Sequence, residues 1–318
     1  MLNYTARRLA ASVPVLLLAS FVAFWAIRAT FDPTAKLRTS RDSARAVAEM
    51  RKKLGLDDPI LVQWGRWLGR FVRGDFGTSS RTGDKVSTMM ATAFPNTLRL
   101  IFWGFLISAV LAIAIGVYSA VRQYSVFDYT FTGLSYLGIA MPSFWFALVA
   151  IEVLAIGPKN WFGLDRAPLG FVGLGDGFFG SPSYLVLPVL TLTVQIIASW
   201  SRYQRAAMLE VLESDYVRTA RAKGLPRRTV IGRHAFRNAL IPLVTVMAID
   251  AGALFGGLII TETIFSIPGM GRLFIEGLNA GDADVVVGWL MVSAVFIIGF
   301  NLIADILYGV LDPRIRLS

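Results

Sequence analysis

Six stretches of this sequence stay apolar for about the length a helix needs to cross the hydrocarbon core of a bilayer. They are Leu9–Ile27, Phe94–Val121, Tyr129–Ile156, Tyr184–Trp200, Ala239–Phe265 and Val285–Val310. In lipid every backbone N–H and C=O must be paired within the protein, so only helices and closed barrels can span it. The runs are continuously apolar, whereas barrel strands alternate apolar and polar residues. The fold class is therefore an all-α polytopic membrane protein with six transmembrane helices. Composition agrees: 55% of residues are hydrophobic and only 16% are charged, against about 25% charged in a typical soluble domain. Pro14 falls in the first turns of the first run, and Pro142 predicts a kink in the third.

The first run is preceded by Arg7 and Arg8, and no small-residue cleavage site follows it before Arg28 and Phe31. It reads as a retained helix rather than a cleaved signal peptide. Short segments then orient the chain. With the N-terminus in the cytoplasm, the inner pieces hold Arg122, Arg202, Arg205, Arg218, Arg221, Lys223, Arg227, Arg228, Arg233, Arg237, Arg314 and Arg316. The two short outer loops hold only Lys159, Arg166 and Arg272 as basic residues. The excess of basic residues inside fits one orientation, with both termini cytoplasmic. It also accounts for the net charge of +10 without nucleic acid as a partner. The expected organisation is a first transmembrane helix over 1–28, an external amphipathic segment over 29–93, and a five-helix core over 94–318 with a cytoplasmic loop at 201–238. Within the external segment, Ser43–Leu54 reads as a charged helix. Ile60, Trp64, Trp67, Leu68 and Phe71 fall at helical spacing between Arg66, Arg70 and Arg73. That pattern suits a helix on the outer membrane face, or alternatively one that closes the bundle or meets a partner.

The most deliberate polar stretch is Glu210–Pro242, set between the fourth and fifth apolar runs. It contains a short helix with a start and a stop. Ser214 can cap its N-terminus, Asp215 suits the positive end of its dipole, Gly224 can supply a left-handed residue after its last turn, and Pro226 prevents continuation. Ala220 and Gly224 lie four apart, on a face where lack of bulk permits close approach by another surface. This is a docking element by construction.

Ionisable groups within spans are functional candidates by default; here they are Glu152, Asp250, Glu262 and Asp305. Asp250 is the deepest and is followed by Ala251, Gly252 and Ala253, so Asp250 and Gly252 are candidates for lining a translocation path, with a helix-packing hydrogen bond as the other reading of Asp250. The remaining three lie near helix ends, where contact with water accounts for them. Gly252, Gly256 and Gly257 form a small-residue face suited to close helix packing. No span carries the series of carboxylates and histidines of a proton relay. No phosphate-cradling GxxxxGK[ST], zinc-binding HExxH or nucleophile GxSxG is present. With no cysteine and a single histidine, His234, most thiol and imidazole metal sites are excluded. If this protein does work on a substrate, the energy comes from elsewhere.

Five stretches carry a family resemblance: GLDDPILVQWGRWLGRFVRGDFGTS, MPSFWFALV, DYVRTARAKGLPRRTVIGRHAFRNALIP, GALFGGLIITETIFSIPGMGRL and LDPRIR. Together they resemble the B-type permease subunits of ATP-driven dipeptide and oligopeptide importers, in the binding-protein-dependent ABC class. The wider class opens its coupling loop with Glu-Ala-Ala, where this chain has Arg218-Thr219-Ala220, the variant of the peptide branch. The resemblance implies the type I importer permease architecture and residence in the bacterial inner membrane, in contact with its lipid. It implies a homologous C-type permease as the other half of the pore, two ATPase subunits, and an external substrate-binding protein. No cofactor would be bound by this chain, ATP and Mg²⁺ being held by the ATPases. The helix carrying Ser214, Asp215, Tyr216, Arg218, Thr219, Ala220, Arg221, Lys223, Gly224 and Leu225 would sit in an ATPase groove, and the external segment would help grip the binding protein. A nickel or glutathione importer permease uses the same scaffold and stays open as an alternative. A stand-alone channel or ion-coupled carrier is the alternative from another class.

Overall fold

The computed structural model describes residues 2–31, 43–174 and 181–311. Asp176, Phe178 and Phe179 of the loop before Pro182, and Arg314 and Arg316 of the C-terminal piece, lie outside the described residues. Within them every regular element is helical: α1 (Leu2–Thr30), α2 (Ser43–Leu54), α3 (Ile60–Val72), α4 (Val86–Val121), α5 (Val126–Ala140), α6 (Ser143–Ile151), α7 (Gly157–Trp161), α8 (Pro182–Glu213), α9 (Asp215–Ala222), α10 (Arg227–Thr229), α11 (Arg237–Ile264), α12 (Met270–Ala280) and α13 (Ala283–Leu311). Wider π-type turns join α6 to α7 and α10 to α11.

α1, α4, α8, the α10–α11 run and α13 are each long and apolar enough to cross a membrane. The third expected span is not a kinked helix but a broken one. α5 and the α6–α7 run are bent by 105° at Met141 and Pro142. Proline removes an amide and excludes helical geometry from the residue before it. The break is eased because the Gln195 side-chain amide of α8 donates to the Met141 carbonyl at 2.9 Å, giving that acceptor a partner within the protein.

α4 and α8 form the most extensive helix pair, followed by α11 with α13. Glycines permit the approach. A Cβ on Gly116 would lie 2.7 Å from the Ser201 carbonyl oxygen, and one on Gly252 would lie 3.2 Å from Cα of Ile297 in α13. The main core, with Leu100, Leu187, Phe255, Leu258 and Phe265 fully enclosed, joins α4, α8 and α11.

α3 lies against protein. Trp67, with Ile60, Trp64, Leu68 and Phe71, packs on Phe24 and Ile27 of α1 and Val286, Val287 and Met291 of α13. The Trp64 indole donates to the Ser20 hydroxyl at 3.1 Å. The stripe that suited a bilayer surface is spent on closing the bundle, because two helices offer it a better-packed apolar face than headgroups do. The following segment is fastened to the α12–α13 corner: Ser79 donates to Asp282 in the loop at 2.5 Å, the Thr78 amide to Asp284 of α13 at 3.3 Å, and Arg81 to Glu276 of α12 at 3.0 Å.

Candidate functional site

α8 does not stop at Trp200. It continues to Glu213, so the polar stretch begins as helix and turns only at Ser214, whose extended backbone (φ −66°, ψ 151°) opens α9. The hydroxyl of Ser214 does not cap α9. It donates back to the Val211 carbonyl at 2.6 Å, and no side-chain cap is made. Gly224 takes the left-handed conformation, φ +76°, with open space where a Cβ would be. Its amide donates to the Arg221 carbonyl at 2.9 Å, and that of Leu225 to Ala220 at 3.4 Å, which terminates the helix.

Ala220 and Gly224 do not share a docking face. Ala220, with Val217, is buried in a cluster made by Ala120 of α4, Ala207 and Met208 of α8, and Val230, Ala235 and Ala239 at the start of the fifth span. The small side chain is used for internal packing, where α9 lies on α8 and on the π-type turn before α11. Asp215, Tyr216, Arg218, Thr219, Arg221, Lys223, Gly224 and Leu225 point outward and are exposed. Beside them a cavity of about 400 Å³ is lined by Val121, Leu212, Arg221, Leu225, Arg227, Val230 and Ile231. α9 is thus a short rod with an apolar underside clamped to three spans and a basic, uncovered upper side.

A second link ties the same end of α8 to α5. Arg205 meets Asp128 in a two-pronged pair at 2.6 and 2.8 Å. Asp128 is 2% exposed and accepts a further bond from the Tyr124 amide, while its own amide is capped by Ser125. Neither member stood out in the sequence, because Arg205 reads as one more inner basic residue and Asp128 as a loop end.

Asp250 accepts from the Trp200 indole at 2.7 Å, a bond between α11 and α8, and Gly252 is buried against α13. Both residues do packing work here. Asp305 pairs with Arg8 at 3.1 Å, joining α13 to α1. Glu262 is different from what its place near a helix end implied: it is fully buried. Its carboxylate accepts from Thr97 of α4 at 2.5 Å and from the amides of Gly271 and Arg272 at 2.7 and 3.1 Å. The Thr97 hydroxyl also accepts from the Met270 amide at 2.8 Å. A side chain of α11 therefore caps the open amides of α12 and pins it to α4. The helix-breaking Ser266–Gly269 run just after Glu262 is the only local sign of this in the sequence. Among the described residues no group of three or more His, Cys, Asp or Glu converges as a metal site.

Residues 112–317 match the family described as binding-protein-dependent transport system inner membrane component, and residues 1–101 match its N-terminal companion family. The chain belongs to this family. It is accordingly a multi-pass protein of the bacterial inner membrane and a transporter subunit, not an enzyme. Curated relatives of this permease include the oligopeptide transport system permease protein AppB of Bacillus subtilis, 38% identical over 99% of this chain and the full length of the relative. The dipeptide transport system permease protein DppB of Alkalihalophilus pseudofirmus is 36% identical, again over 99% of this chain and all of the relative. The oligopeptide transport system permease protein OppB of Mycobacterium bovis is 36% identical over the full length of both.

Proposed function

We propose that this chain is the B-type half of the pore in an ATP-driven importer of dipeptides or oligopeptides, with a homologous C-type permease completing the pore. Two ATPase subunits on the cytoplasmic side bind ATP and Mg²⁺, and an external binding protein delivers the substrate. The observation that carries the reading is α9. It is an exposed basic rod at the end of a span, in a chain with no phosphate-cradling motif of its own, and its underside is packed on α4, α8 and α11. An ATPase that grips the exposed side and closes on ATP pulls all three spans together. The Asp128–Arg205 pair passes the same pull to α5. The resulting swing alternates access to the translocation path, with the Asp250–Trp200 bond and the close approach at Gly252 carrying the movement between α8, α11 and α13. Names of relatives, oligopeptide and dipeptide permeases at full length, support the peptide as cargo.

The test is Gly224→Val in the complete importer, reconstituted in proteoliposomes. A β-branched residue at φ +76° is strained by roughly 1–2 kcal/mol, which deforms the end of α9 while its buried underside stays intact. ATP-dependent peptide uptake should fall severalfold with subunit assembly retained, and Gly224→Asn, which tolerates the left-handed region, should keep most of it. Undiminished uptake by an assembled Gly224→Val complex would refute the coupling role.

A further inference from the structure

Arg99 of α4 is a cation that none of the features above uses. It is 8% exposed, its enclosed Nε has no hydrogen-bond partner, and no carboxylate among the described residues pairs with it. On its cytoplasmic side Leu100–Val121 carries no charged residue and is long enough alone to cross a hydrocarbon core of about 30 Å. Arg99 therefore stands at the outer edge of the apolar layer. An arginine there normally reaches out to lipid headgroups; this one is enclosed by protein.

The faces of α4 that pack against other spans are occupied by different residues. Thr97 bonds Glu262 of α11, Phe94 meets Phe255 at a tilt and Phe296 edge-to-face, and Gly104 meets Leu192 of α8. Arg99 shares its stripe with Thr92, Pro95, Phe102 and Leu106, all exposed, at the i−7, i−4, i+3 and i+7 positions of one helical face. Asn96 and Trp103, at i−3 and i+4 on the same face, are half-buried, and Arg99 is the most covered of these residues. One and two turns above it, Asn96 and Thr92 line an open cavity of about 440 Å³ together with Pro268, Arg272 and Glu276. Side chains on a helix lean toward its N-terminal end, which for α4 is the end where this cavity lies. The cavity's one carboxylate, Glu276, is already engaged, by Arg272 at 2.9 Å and by Arg81 from outside the lining at 3.0 Å. The Glu262 carboxylate is already engaged by Thr97 and the α12 amides.

We propose that Arg99 holds the free α-carboxylate of a peptide as it enters the path from the outer side. The assignment rests on the peptide-importer reading above. A guanidinium fork matches a carboxylate in two parallel hydrogen bonds. An unpaired one at the mouth of an apolar passage is a ready counter-charge for a group that every linear peptide carries.

The experiment compares uptake of labelled trialanine and its C-terminal amide by the complete reconstituted importer, with both peptides above the concentration that saturates the binding protein. Wild type should import the free acid about tenfold faster than the amide, the size of one charge-assisted contact. R99Q should bring the two rates close to parity by slowing the acid, while R99K, which keeps the charge and loses the fork, should give an intermediate ratio. An unchanged ratio in R99Q, or an equal fall for both peptides, would overturn the assignment in favour of a structural or lipid-facing arginine. Failure of wild type to import either peptide would instead strike the peptide reading, and this assignment with it.

Discussion

A carboxylate removed from water must find donors, and the residues that do so are the ones whose loss should be felt most. Asp128 has its donors in Arg205 and the Tyr124 amide. Asp128→Ala strands a guanidinium that is itself largely covered, with 27% of its side chain exposed. The cost should lie near the lower end of the roughly 3–5 kcal/mol seen when one member of a buried pair is removed. Asp128→Leu with Arg205→Met replaces both charges by apolar bulk and should recover most of that loss. Thermal unfolding of the protein in nanodiscs would read both, and a double variant no better than the single would show that the pair does more than satisfy itself. Glu262 illustrates what one-dimensional reading misses. Its partner Thr97 and the amides it caps come from elements brought together only by folding, and its position near a helix end pointed to solvent instead.

Among the elements, α5 and α6 carry the least expected geometry. Pro142 announced a bend, but a bend of 105° depends on a donor for the Met141 carbonyl, and that donor is Gln195 in another span. Gln195→Leu should leave the carbonyl unpaired at a cost of about 1–3 kcal/mol. The expected result is faster hydrogen exchange over Met141–Trp145 with the remainder of α8 unchanged; protection equal to wild type would mean that another group holds the break. α9 shows the opposite balance. Its stop at Gly224 was legible because a positive φ is a local demand that glycine meets best. Which of its faces is buried was not, because Val217 and Ala220 acquire their partners from α4, α8 and the fifth span.

At the scale of the whole molecule, the N-terminal segment is stitched to the far end of the chain. The stitches are unequal. Asp282 is 2% exposed and holds Ser79 at 2.5 Å, whereas Arg81 and Glu276 meet in partly exposed surroundings. Asp282→Ala should therefore destabilise by about 1–3 kcal/mol and Arg81→Ala by under about 1 kcal/mol, read as shifts in unfolding temperature; equal shifts would contradict this picture of the clasp. The sequence alone determined that this is a helical membrane protein with several long apolar helices, that a short helix follows the fourth apolar run, and the family to which these patterns belong. Those properties follow from hydrophobic run length, helix-stop residues and motif, all of which act over a few turns of chain. Only the tertiary structure decided that the third span is broken, that α3 faces α1 and α13, that Glu262 pins α12, and that Ala220 faces inward. Each depends on a partner distant in sequence, and hydrogen-bond satisfaction and close packing are properties of the neighbours a residue acquires on folding.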